Sequence, residues 1–156
     1  MKTPEQLKGT IRSMAAKRNL RAQEVLQMFL FERILERLAN SKYKMNFILK
    51  GGLLISSMIG ISERTTMDMD TTVRGIQMEE DDIVRIVKEI LTVDVDDGIL
   101  FDYESIEPIR EEDAYPPLFC CVLQRRLQDS FSRTATIKFI CIPKWQAKKL
   151  WQREIR

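Results

Sequence analysis

Two aspartates one residue apart, Asp68 and Asp70, lie in the run Met67-Asp68-Met69-Asp70-Thr71-Thr72-Val73. With a period of two, Met67, Met69, Thr71 and Val73 fall on one face of a strand and both carboxylates on the other. Residues i and i+2 of a strand are roughly 6.6 Å apart along the chain, near enough for two short acidic side chains to converge on one Mg²⁺ or bridge a pair about 3.5–4 Å apart. Like charges so placed repel each other, and a divalent cation relieves that repulsion.

Upstream, Gly51 and Gly52 open the apolar run Leu53 to Ile59. Without Cβ atoms the pair lets a phosphate approach the backbone closely, and the first amides of the following helix are unpaired donors that favour an anion. A phosphate cradle followed by a carboxylate pair is the equipment of metal-assisted phosphoryl chemistry.

At these residues the chain resembles the nucleotidyltransferases of the AbiEii/AbiGii toxin type, within the DNA polymerase beta-like superfamily. That pattern reads Leu-Lys-Gly-Gly, an apolar helix, then Arg-x-Ser/Thr-x-Asp-x-Asp; Lys50, Gly51, Gly52, Arg64, Thr66, Asp68 and Asp70 occupy its positions. The resemblance implies Asp68 and Asp70 as catalytic carboxylates and ligands of Mg²⁺. It implies nucleotide binding by Lys50, Gly51, Gly52, Arg64 and Thr66. Lys50 either pairs with phosphate or neutralises the acids; Arg64 either holds a triphosphate or pairs with Glu63 or Asp68. The implied biology is a type IV toxin–antitoxin or abortive-infection system, with a nucleoside triphosphate donor, RNA as a candidate acceptor and a cognate antitoxin as partner.

The elements that must carry these groups follow from periodicity. Thr3-Pro4-Glu5-Gln6 starts a helix with a cap, a proline at its first position and a capping box. A second helix from Ala22 to Leu38 has Val25, Leu26, Phe29, Leu30, Ile34, Leu35 and Leu38 at core spacing. Phe47-Ile48-Leu49 is a short extended segment feeding the turn at Gly51-Gly52, and Gly60 ends the next helix. Arg74-Gly75 is a turn. Glu79-Glu80-Asp81-Asp82 opens a helix, where acids complement the dipole rather than hold metal. Asp94, Asp96 and Asp97 before Gly98 read as a solvated turn, and Ile99 to Ile106 as a strand. The expected fold class is α+β: a small mixed sheet with the Asp68 strand beside the strand near Phe101, and the N-terminal helices packed against it.

Composition narrows the chemistry further. With 156 residues, 44% of them apolar, the chain can bury a core, and its lack of histidine removes histidine bases, Ser-His-Asp triads and His-ligated metals. Its three cysteines, Cys120, Cys121 and Cys141, match no zinc spacing and are expected as free thiols. Neither a transmembrane run nor a signal peptide is visible, so the expected location is the cytoplasm, with no membrane partner.

Residues 118–156 hold nine of the 25 Lys and Arg but two of the 23 Asp and Glu, so this stretch is basic and the rest acidic. With a composition break near Pro116-Pro117, the chain divides into a nucleotidyltransferase-like domain over 1–115 and a divergent basic tail over 116–156, where the resemblance is expected to fail. The resembled family carries a third carboxylate on a later strand reading Ile-x-Ile-Asp-Ile. The nearest counterpart here, Thr136-Ile137-Lys138-Phe139-Ile140-Cys141-Ile142-Pro143, has no acid. The helical C-terminal region usual in the resembled family is also not seen, and a truncated or frameshifted gene product would explain both facts; a divergent member is the milder alternative. Two other readings compete: an inactive remnant that binds nucleotide or partner at most, and a haloacid-dehalogenase-like phosphatase, whose Asp-x-Asp-x-Thr signature fits Asp68 to Thr72.

Overall fold

The computed structural model describes residues 4–60, 66–108, 119–127 and 136–143. Helix α1 (Pro4–Arg18) begins at the proline that suits a first turn, and the Thr3 cap expected for it lies outside the described residues. It ends where Asn19 takes φ 53° and the Leu20 amide bonds back to the Ala15 carbonyl at 2.9 Å, a left-handed cap that asparagine tolerates. Helix α2 (Ala22–Asn40) starts with the Arg21 amide donating to the Glu24 carboxylate at 2.9 Å.

Then follow β1 (Phe47–Lys50), α3 (Gly51–Ile59), β2 (Asp68–Val73), α4 (Glu80–Leu91), β3 (Ile99–Pro108), β4 (Phe119–Leu127) and β5 (Thr136–Pro143). Glu80, Asp81 and Asp82 occupy the first turn of α4, the dipole-complementing placement expected of them. Together the helices and the mixed sheet make an α+β fold.

The five strands form one sheet in the order β1-β2-β5-β4-β3, antiparallel except between β2 and β5. Here the expectation for β2 is corrected: the strand bearing Phe101 is not its neighbour but lies at the far edge, with β4 and β5 between them. The physical reason is the alternation of the inserted strands. Cys121 and Leu123 on β4, and Ile137, Phe139 and Cys141 on β5, are buried at every second position and need a neighbour on each side to satisfy their backbone groups. Segments that look divergent by composition thus build the middle of the sheet.

The core lies on one face of that sheet. Met69, Val73, Leu123, Ile137 and Phe139 pack with Leu30, Phe31 and Ile34 of α2 and Ile83, Ile86, Val87 and Ile90 of α4. Phe47 stacks on Phe139 with ring centroids 5.7 Å apart. Helix α1 joins through α2, by Leu7, Ile11, Ala15 and Val25. All three cysteines are free and buried.

The turn before β3 departs from its expected solvation. Asp94 and Asp96 are exposed, and the Asp96 amide bonds the Asp94 carboxylate. Asp97 instead turns inward and takes a forked pair of bonds from Arg37 of α2, at 2.7 and 2.8 Å. Arg37 is 3% exposed and also donates to the Ile99 carbonyl at 2.6 Å.

Candidate functional site

The face of β2 opposite the core carries Asp68 and Asp70, separated by the fully buried Met69. Cα partners on neighbouring strands share a face, so register names the rest of that surface. Lys50 of β1 stands opposite Asp70; on the other side Lys138 of β5 stands opposite Asp68, and Ile140 opposite Asp70. Both acids are half-buried, and Lys138 is exposed. Burial pushes the Asp70 carboxyl up, the Lys50 charge pulls it down and the Asp68 charge pushes it up again, leaving it above its ordinary value.

The chain turns sharply between Lys50 and α3. Gly51 has φ 67°, a left-handed conformation that a residue with a Cβ adopts only under strain. A Cβ there would also lie 2.5 Å from Asp70 Oδ2, and one on Gly52 would lie 3.0 Å from Thr66 Oγ1. The sequence reading gave that space to a phosphate. In the structure it admits the Asp70 carboxylate and the Thr66 side chain, so the glycines clamp the acidic strand against the helix start. Lys50 is extended and makes no side-chain cap, which leaves the first amides of α3 without that partner. Gly51→Ala is expected to cost about 1–2 kcal/mol for the left-handed conformation alone, measured by urea unfolding. Asp70→Ala in the same chain should recover part of any further loss, because the cost is steric and shared.

Three hydrogen bonds hold this segment in place. The Thr66 hydroxyl donates to the Asp68 carbonyl at 3.3 Å, and the Thr71 hydroxyl donates to the Ile140 carbonyl at 2.9 Å, tying β2 to β5. Gln27, wholly buried on α2, reaches the Met67 carbonyl with its amide nitrogen at 3.4 Å. Sequence reasoning passed over Gln27, although a polar residue on an apolar helix face was the available signal. It also passed over Lys138, the one charged residue on the outward face of its strand.

Of the residues expected at the site, Lys50, Gly51, Gly52, Thr66, Asp68 and Asp70 are brought together; Arg64 lies outside the described residues. Of the other acids that could stand in for the third carboxylate, Asp102, on β3, is three strands from β2, roughly 14 Å at strand spacing. Asp113 and Asp129 are also outside the described residues. Among the described residues no group of three or more acids and cysteines gathers as a metal site. Two repelling carboxylates still fit Mg²⁺, which takes one or two carboxylates and completes its shell with water and substrate phosphates. The phosphatase reading loses its support, since its nucleophilic aspartate should end a strand and Asp68 begins one.

A family model described as nucleotidyl transferase AbiEii toxin, type IV TA system, matches residues 33–139. That span runs from α2 to β5 and contains the glycine turn, both acids and Lys138. The chain belongs to the AbiEii nucleotidyl transferase toxin family. Comparison with curated proteins gives no match. The AbiEii match continues past residue 115, where the resemblance was expected to fail, and this agrees with β4 and β5 lying inside the sheet. Membership implies a nucleotide substrate and an antitoxin partner, and nucleotidyltransferases generally use a divalent cation. No helix among the described residues is long and apolar enough to cross a membrane.

Proposed function

We propose that this site binds a nucleoside triphosphate with Mg²⁺ and transfers its nucleotidyl group to an acceptor hydroxyl, with RNA as the acceptor class. The observation that carries the reading is the approach of Asp70 to Gly51, which sets that carboxylate against the start of a helix. Lys50 and those amides bind the phosphates; Arg64 is proposed to join them. Asp68 and Asp70 would hold Mg²⁺, which when bound stabilises charge on the α-phosphate. The acceptor oxygen forms a bond to the α-phosphorus, the bond to the bridging oxygen breaks, and pyrophosphate leaves with those electrons. The acceptor proton goes to solvent. Donor and acceptor both belong to the cytoplasm, and an antitoxin would act there.

A second reading, nucleotide binding without turnover, is favoured by one observation: β5 presents Lys138 and Ile140 to the acids and no carboxylate. Without a positioned base the transfer should be slower by roughly 10²–10⁴-fold. Incubating the protein with each α-labelled nucleoside triphosphate, Mg²⁺ and total RNA tests the proposal. Slow label transfer that disappears in Asp70→Asn is the expected result. Equal labelling by wild type and Asp70→Asn would overturn the site assignment, and no labelling at any protein concentration would leave the binding-only reading in its place.

A further inference from the structure

The acidic pair is bracketed by a basic pair. On one side Lys50 stands in register with Asp70; on the other Lys138 stands in register with Asp68. All four Cα positions sit on adjacent strands, spaced about 4.8 Å apart across the sheet. The formal charges of the four groups cancel, so this surface does not repel an anion as an isolated acidic pair would. Among the described residues the ion pairs lie on α2, α4 and the turns beside them, and none joins either lysine to either acid.

Lys138 is exposed and acts on the same surface as the acids. The Cys120 thiol of β4 is pushed up first by burial, with the Lys138 charge pulling it down and the Asp68 charge pushing it up among its further neighbours. A carboxylate on this outward face of β5 would add a third negative charge and make phosphate binding depend on a cation. Lysine does the reverse. An exposed pair between Lys138 and Asp68 would be weak, so a multiply charged polyphosphate outcompetes Asp68 for the ammonium. The amides at the start of α3 supply further donors on the Lys50 side.

We propose that Lys138 is a second phosphate-binding cation of the site, working with Lys50, so that the triphosphate of a nucleotide binds here without a divalent cation. The inference rests on the nucleotide-site reading above but assigns a ligand-binding role to a strand which that reading leaves empty. Mg²⁺ then adds affinity through Asp68 and Asp70 rather than being a condition for binding.

Calorimetric titration with inorganic tripolyphosphate, in EDTA and in Mg²⁺, tests this. Wild type should bind in EDTA. Lys138→Ala should weaken that binding roughly ten-fold or more, the worth of one charge-assisted hydrogen bond, and Lys138→Arg should retain it. Asp70→Asn should bind at least as well as wild type in EDTA, having lost a repelling charge, while losing the gain from Mg²⁺. Equal binding by Lys138→Ala and wild type in EDTA, or wild-type binding seen only with Mg²⁺, would overturn the role of Lys138 while leaving the nucleotide site standing. Wild type that binds under neither condition would overturn both.

Discussion

Arg37→Ala is expected to destabilise the fold by about 3–5 kcal/mol, the range for breaking one side of a buried ion pair. The guanidinium is 3% exposed and its partner Asp97 11%. Removing it strands a largely buried carboxylate and takes a hydrogen bond from the Ile99 carbonyl. It also removes a cation lying over the Phe101 ring, 5.0 Å from its centroid. Burial pushes the Asp97 carboxyl up, but bonds from Arg37 and the Ile99 amide and the charges of Arg37 and Arg33 outweigh it, so it ends below its ordinary value. A carboxyl lowered on folding contributes stability above its unfolded pKa, and that contribution is lost as pH falls through the folded value. The gap between wild type and Arg37→Ala in urea midpoint should therefore narrow below the usual carboxylate range. The pair joins α2 to the start of β3, at the sheet edge far from Asp70, so nucleotide affinity of the folded variant should be unchanged.

Ile140→Asp is expected to speed nucleotidyl transfer by roughly 10²–10⁴-fold, the contribution typical of a positioned general base. Ile140 is half-buried, faces the same way as the acids and is the Cα partner of Asp70 across the parallel β2–β5 pair. A carboxylate there would sit one strand from Asp70, near enough to orient an acceptor hydroxyl and take its proton. Its charge lies beside two others, so its pKa should rise toward neutrality, where a base works best. The side chain lost is on the face away from the core, so the cost to folding should be small. Single-turnover label transfer measures the effect. No gain in a folded Ile140→Asp protein would mean that the slow step lies elsewhere.

The glycine pair, the period-two acids and the helical faces were legible because each rests on local chemistry. A φ of 67° at Gly51 and the burial of Met69 between two half-buried acids are the physical counterparts of those patterns. Strand order was not legible. The ladders that place β4 and β5 between β2 and β3 join residues far apart in sequence, and the basic composition after residue 115 hid a regular burial pattern in Ile137, Phe139 and Cys141. The two glycines signal a close approach without naming what approaches: Asp70 and Thr66 of the same chain fill the space beside them. The inward turn of Asp97 is not legible locally, because its partner Arg37 lies on α2, sixty residues earlier in the chain.

Nucleoside triphosphate titration with and without Mg²⁺ tests whether Asp68 and Asp70 together make a metal-assisted nucleotide site. Wild type should bind more tightly when Mg²⁺ is present. Asp68→Asn and Asp70→Asn should each lose that gain while unfolding at the same or higher urea concentration than wild type, since each removes one of two repelling charges. The same Mg²⁺-dependent gain in all three proteins would mean that these two acids hold no cation for the nucleotide.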